Sequence, residues 1–208
     1  MPSFASAAIL TTLDAATVAA NANSAGVDIS SYQMECLVTL ATANTAGTNP
    51  TLAVKLQDAQ GGDIVTSVTP GANTGNGTCT QVYGGADTVA ENITITFSNA
   101  TTFAVSGSVT GAMAGGTVGT LYSNAQVEFM ITAGSAAFIN GDTFVIVTTA
   151  RSYADVASGA FTGATTGAAA QKLAIDVNKL GKYLRLNYVI GGTVAPSYRV
   201  VSSLIGIK

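Results

Sequence analysis

Hydrophobic and polar residues alternate over several separate stretches of the chain. Tyr32, Met34, Cys36, Val38 and Leu40 interleave with Gln33, Glu35, Leu37 and Thr39, which is the two-residue period of a half-buried strand. Leu52, Val54 and Leu56 then oppose Ala53, Lys55 and Gln57, after a run, ANTAGTNP, that reads as a loop. Gly61–Gly62 predicts a turn, Ile64 to Val68 a short strand, and PGANTGNG another loop. From about Gly84 to Thr149 the strands shorten. Ile93, Ile95 and Phe97 form one face, then Phe103 and Val105, then Val127, Phe129 and Ile131, and Asn140–Gly141 gives a hairpin signal before Phe144 and Ile146. Residues 154–171 are low in complexity and read as a returning loop.

The last thirty-seven residues, from Lys172, carry three further alternating segments. Leu173, Ile175 and Val177 form one face of the first, and Leu184, Leu186, Tyr188 and Ile190 one face of the second; Tyr198 to Ile207 is the third. Turn signals at Asn178–Gly181 and Gly191–Pro196 separate them, with Pro196 placed where a missing N–H does least harm. The first twenty-five residues lack a regular period and predict an extended arm, with room for a helical turn over about 12–21. The resulting organisation is an arm (1–25), a main β-sandwich in two halves (26–83 and 151–208), and a small β-domain (84–150) inserted between them.

Composition narrows the class. Charged residues make up only 9% of the 208-residue chain, against roughly 25% in an ordinary soluble domain. Such a surface suits a protein that lives against other protein. The net charge of −3 is unevenly spread. Residues 1–150 hold nine acids and one base, a balance of −8; residues 151–208 hold seven bases and two acids, a balance of +5. The two halves either offset one another within the fold or make a polar molecule that docks onto an opposite charge. No cluster of bases interleaves with aromatics as a nucleic-acid groove requires, so no direct nucleic-acid partner is expected.

The chain has no histidine, which removes imidazole acid–base chemistry, the usual hydrolytic triad and histidine-ligated zinc. It has no G-x-S-x-G, Walker A or G-x-G-x-x-G motif. The eleven carboxylates are scattered, and there is no tryptophan to form a sugar platform. No enzyme activity, catalytic residue, cofactor or metal is therefore expected. Asp58 and Asp63 flank Gly61–Gly62 but read as a solvated turn, not a cation loop. Gly107, Gly111, Gly115 and Gly119 repeat a G-x-x-x-G spacing, yet the surrounding Thr, Ser and β-branched residues predict a Gly-rich hairpin in place of a membrane helix. Cys36 sits in an apolar run and reads as a buried thiol, with a single Cys36–Cys79 disulfide as the alternative. No basic leader precedes an apolar core, so no signal peptide is expected.

Two blocks carry a resemblance to a known family. GVDISSYQMECLVTLATANTAGTNPTLAVKLQDA (26–59) and LAIDVNKLGKYLRLNYVIGGTVAPSYRVVSSLIGIK (173–208) together resemble the small capsid decoration, or cement, proteins of tailed bacteriophages. The pairing of TLAVKLQ with YLRLNYVIGG looks like that family's two halves meeting in one sandwich. The middle segment is similar to modules of phage virion proteins, an insertion that the shortest decoration proteins lack. The resemblance implies an all-β, jelly-roll-like antiparallel β-sandwich with a second, inserted β-sandwich domain. It implies a homo-oligomer, trimeric by preference, on the outer capsid surface of the virion, bridging neighbouring copies of the major capsid protein. No catalytic residues carry over. The competing readings are another virion component, such as a head fibre, tail protein or host-binding adhesin, and a carbohydrate-binding β-sandwich. Phe4, Ile9 and Leu10 of the arm and Lys179, Lys182, Arg185 and Arg199 of the basic end are the candidate capsid interface. The plain alternative for the bases is a solvated strand edge that deters aggregation.

Overall fold

The computed structural model describes residues 8–62, 64–165 and 167–207. The chain divides into two units, one formed by Met1–Gly61 with Ser152–Lys208 and the other by Gly62–Arg151. The first unit opens with β1 (Ala8–Val18), the short β2 (Ala22–Asn23) and β3 (Val27–Asp28), and the long β4 (Gln33–Ala59). The second unit holds β5 (Val65–Pro70), β6 (Thr78–Gly84), β7 (Glu91–Phe97), β8 (Thr102–Gly107), β9 (Gly111–Thr117), β10 (Leu121–Ser123), β11 (Val127–Thr132) and β12 (Thr143–Thr148). The chain returns to the first unit with β13 (Ala154–Ala160), β14 (Ala168–Asp176), a 3-10 turn over Val177–Lys179, and β15 (Tyr183–Ile207). Every strand pairing is antiparallel.

In the first unit, β4 and β15 run side by side for almost their whole length, from Tyr183 opposite Ala59 to Ile207 opposite Gln33. Near one end, β14 and β1 flank the pair; near the other, β13, β2 and β3 do. The sheet is folded over onto itself. Ser202 of β15 stands opposite Asp14 of β1, and the Tyr188 hydroxyl lies 2.6 Å from Asp14 Oδ2. Fourteen residues separate Tyr188 from Ser202, which would span about 46 Å if straight. The strand pair must therefore reverse between them, and it does so where residues 46–51 run beside 191–197. The registers shift there, and Gly47, Asn49, Gly192, Val194 and Ala195 all have positive φ. Two four-strand layers result. Layer A holds β14, the first part of β4, the last part of β15, and β1. Layer B holds β13, the last part of β4, the first part of β15, and β2 with β3.

One apolar core lies between the layers. Val38, Leu40, Val200 and Leu204 enter it from layer A, and Leu56, Leu184, Leu186 and Tyr188 from layer B, each at most 2% exposed. Tyr198 also spans it, donating its hydroxyl to Thr165 O at 2.6 Å.

Several segments differ from the sequence expectation. The expected loop ANTAGTNP and the expected turn Gly191–Pro196 are both inside strands, because the two runs bend together and keep pairing. The arm is extended, as expected, but residues 12–18 hold no helical turn and form part of strand β1, which adds to β15 as a layer edge. Residues 154–171, expected as loop, include all of β13 and the start of β14, whose alanines pair with Ala41 to Ala43. Residues 65–83, expected in the main sandwich, pair with β11 and β12 of the second unit instead.

The second unit is a sandwich of a five-stranded sheet (β5-β12-β7-β8-β9) and a three-stranded sheet (β10-β11-β6). Alternating residues of both fill its core, with Ile93, Ile95, Phe97 and Ile146 facing Val127, Phe129 and Ile131, all fully buried. The Gly-rich run forms the β8–β9 hairpin, closing at Gly107 opposite Gly111. The Asn140–Gly141 turn leads into β12, but β12 pairs with β5 and β7, not with the strand before it. Neither cysteine is in a disulfide; Cys36 is buried and Cys79 half-buried.

Candidate interaction surface

Because β15 folds over, bases that are close in sequence land on opposite outer surfaces of the first unit. Arg185, Asn187 and Val189 of β15 face outward from layer B, with Arg185 opposite Gln57. Arg199 lies after the bend, opposite Ala43, and faces outward from layer A. Lys179 ends the 3-10 turn, and Lys182 directly precedes β15. The expected single basic patch is thus split. Of the arm residues, Ile9 and Leu10 are placed by their backbone in β1, opposite Gly206 and Ile205, and Phe4 lies outside the described residues.

The outer surface of layer B is a polar network. Lys55 Nζ reaches Asp155 Oδ2 at 2.8 Å, and Gln57 Nε2 donates to Asp155 Oδ1 at 2.9 Å. Arg185 Nε donates to Gln57 Oε1 at 2.9 Å, and its guanidinium lies 3.9 Å from the centre of the Tyr153 ring. Asn187 Nδ2 donates to Asn23 Oδ1 at 2.9 Å. Lys182 pairs with Asp28 at 3.5 Å, and at the end of β14, in layer A, Asp176 pairs with Lys179 at 3.3 Å. Burial opposes the Lys182 charge, but Tyr183 and Asp28 hold its pKa above the ordinary lysine value. These are surface ion pairs, screened by water and individually weak, so they leave the bases able to exchange partners.

A cleft of about 300 Å³ beside this network is lined by Asp58, Asp155, Asp176 and Lys179. Its carboxylates already have work in the fold. Asp58 Oδ2 accepts from Gly181 N at 2.6 Å, Asp155 is held by Lys55 and Gln57, and Asp176 Oδ1 accepts from Asn178 N at 3.1 Å. Among the described residues no three Asp, Glu, Cys or His side chains are grouped to hold a metal ion. No helix among them is long and apolar enough to cross a membrane.

The outer surface of layer A has a different chemistry. Across β14, β4 and β15 its successive rows read Ala174–Leu37–Ile205, Lys172–Thr39–Ser203, Ala170–Ala41–Val201 and Ala168–Ala43–Arg199. A shallow groove of about 390 Å³ runs over the alanines, with Arg199 and Val201 among its lining residues. Val201 is 42% exposed there. No pattern in the sequence marked this surface, because alanine is compatible with burial and exposure alike.

No family model and no curated protein matches the chain. Two crystal structures of FlgL from Xanthomonas campestris, in space groups H3 and C2, are similar to part of it, both with a TM-score of 0.35. Identities are 25% and 23%, over 48% and 49% of this chain. The chain spans about a third of FlgL, 33% and 32% in the two structures. A likeness at that TM-score assigns no family and no function.

Proposed function

We propose that this protein is a structural virion component that binds the outer surface of a tailed-phage capsid and braces neighbouring major capsid proteins. The observation that carries the reading is the direct pairing of the two blocks on which the family resemblance rests. Leu186 stands opposite Leu56 and Tyr188 opposite Val54, so 51–59 and 183–191 are adjacent strands of one layer. The two-layer build also suits a brace: β4 and β15 run unbroken through both layers, so a load on one is passed to the other by covalent chain. In this reading exposed Lys182 and half-buried Arg185 of the layer B surface, with exposed Lys179 of the turn that leads to it, meet acidic groups of the capsid. Each contact is weak, and many copies over one particle supply the strength.

The test is binding to emptied, expanded heads of the phage that encodes the chain. Saturable co-sedimentation at many copies per head, weakened by K182E/R185E and by raised salt, is the expected result. Failure to co-sediment with heads, or binding confined to tails or fibres, overturns it.

A further inference from the structure

The outer surface of layer A is uneven in a self-complementary way. At one end, large side chains stand out, Leu37 and Ile205, both half-exposed, with Glu35 and Asp176 in the row beyond. At the other end, small ones leave the groove, Ala41, Ala43, Ala168 and Ala170, with Arg199 lining it. The row Lys172–Thr39–Ser203 lies midway between them. Glu35 and Arg199 are both exposed, and neither has an ion-pair partner among the described residues of its own chain.

We propose that this surface docks a second copy of the same chain, face to face, about a two-fold axis through the Thr39 row. A two-fold lying in the sheet plane across the strands reverses the order of the rows and keeps the order of the strands. Row 37 of one copy then lies over row 41 of the other, and row 35 over row 43. Leu37 enters the partner's alanine groove, Ile205 meets Val201, and Arg199 comes over the end that carries Glu35. Both halves of each exchange occur twice, as an isologous contact requires.

The area is sufficient for a weak, specific pair. Rows 35 to 43 span about 27 Å along the strands, and four strands span about 19 Å across, or roughly 500 Å² per copy. Both copies together bury about 1,000 Å², the lower bound for a specific interface. Lys172 sits on the axis row at the edge strand and meets its own counterpart, so it must turn outward, which limits affinity. The expected dissociation constant is about micromolar or weaker. This symmetry differs from the trimer that the family resemblance implies, and it stands whether or not the capsid reading does.

The test is sedimentation velocity of the full chain over a range of concentrations, with circular dichroism to confirm folding. A reversible monomer–dimer equilibrium is expected. L37E and A41L, the first burying a charge and the second filling the groove, each weaken it about tenfold or more, and K172A tightens it. R199E and E35R each weaken it, and the double variant E35R/R199E restores it. If L37E does not fold, A41L and the charge exchange carry the result. A monomer at every concentration, a trimer, or a dimer indifferent to A41L and to the charge exchange overturns the proposal.

Discussion

Tyr188 of layer B donates its hydroxyl to Asp14 Oδ2 of layer A at 2.6 Å, across the core of the first unit. The bond joins the edge strand β1 to the centre of the opposite layer, and it exists only when the sheet has folded over. Burial pushes the Tyr188 phenol well above its ordinary pKa, and the Asp14 carboxylate adds to this, so the tyrosine stays protonated and keeps donating. Removing it should cost about 2 kcal/mol, the range for a hydrogen bond to a charged group. The pair is best read by a double-mutant cycle of Y188F and D14A in urea unfolding. A coupling energy of about 1 kcal/mol or more is expected, and additivity would show that the bond holds nothing.

The bend between the layers stores strain at two exposed positions. Val194 has φ +58° and is 77% exposed, and Ala195 has φ +47°. A β-branched residue in the left-handed region costs about 1–2 kcal/mol, and no burial repays it here. V194N should therefore raise the unfolding free energy by about 1 kcal/mol. Gly47 makes the converse case. Its φ is +105°, and an added Cβ would lie 2.6 Å from Pro196 Cα, a backbone atom that cannot step aside. G47A should lower stability by about 2 kcal/mol or more, and thermal melts of the two variants should move in opposite directions.

How far the sequence reveals this architecture depends on what each residue type signals. Leu184, Leu186 and Tyr188 announce their face because large apolar residues alternate with polar ones, and all three are buried as that pattern predicts. The segments 43–50 and 191–197 hide their strand character because Gly, Asn and Pro ordinarily end strands. Here they belong to two neighbouring strands that bend at the same level, so each supplies the other's partners through the corner. The candidate interface was legible as residue types but not as a place. Arg185 and Arg199 are fourteen positions apart and share strand parity, which on a straight strand would put them on one surface. The reversal between them sends them to opposite surfaces, and a one-dimensional pattern carries no mark of a reversal that keeps its hydrogen bonds.

Phe138 lies outside any strand, yet it is only 2% exposed and stacks on Phe97 with ring centroids 3.9 Å apart. It also meets Phe144 edge-on at 5.9 Å. Gly75 and Gly77 make the room, since a Cβ on either would come within 2.6 Å of the Phe138 ring. F138A should cost about 3–5 kcal/mol and loosen the second unit. Hydrogen exchange should register the loss first in β7 and β12, which carry Phe97 and Phe144.

Cys79 is half-buried, and that burial pushes its thiol up to about 12. The thiol is thus protonated at neutral pH and is a poor nucleophile. Native protein should react slowly with a thiol reagent at both cysteines, and two equivalents should appear at once on unfolding, since neither is in a disulfide. Fast labelling of one cysteine in the native state would contradict the buried placement.

Glu91, the first residue of β7, is 6% exposed and holds the turn of the β8–β9 hairpin. Its Oε2 accepts from Val109 N and Thr110 N, each at 3.0 Å, and Oε1 accepts from Thr110 Oγ1 at 2.9 Å. Burial alone would raise its pKa, but these donors outweigh burial and hold it below the ordinary value of 4.5. A carboxylate depressed in the folded state contributes stability that is fully present above 4.5 and is lost as pH falls through the lower folded value. Asp142 follows the same logic, accepting from Thr74 N and Gly75 N at 2.9 Å and from Ile139 N at 3.1 Å, with its pKa lowered from 3.8. The melting temperature of the second unit should therefore fall as pH is taken from about 6 to about 2. E91Q keeps the shape but not the charge, so it should melt lower at pH 6 and show a shallower fall. An E91Q curve parallel to that of the wild type would show that Glu91 takes no part in the acid response.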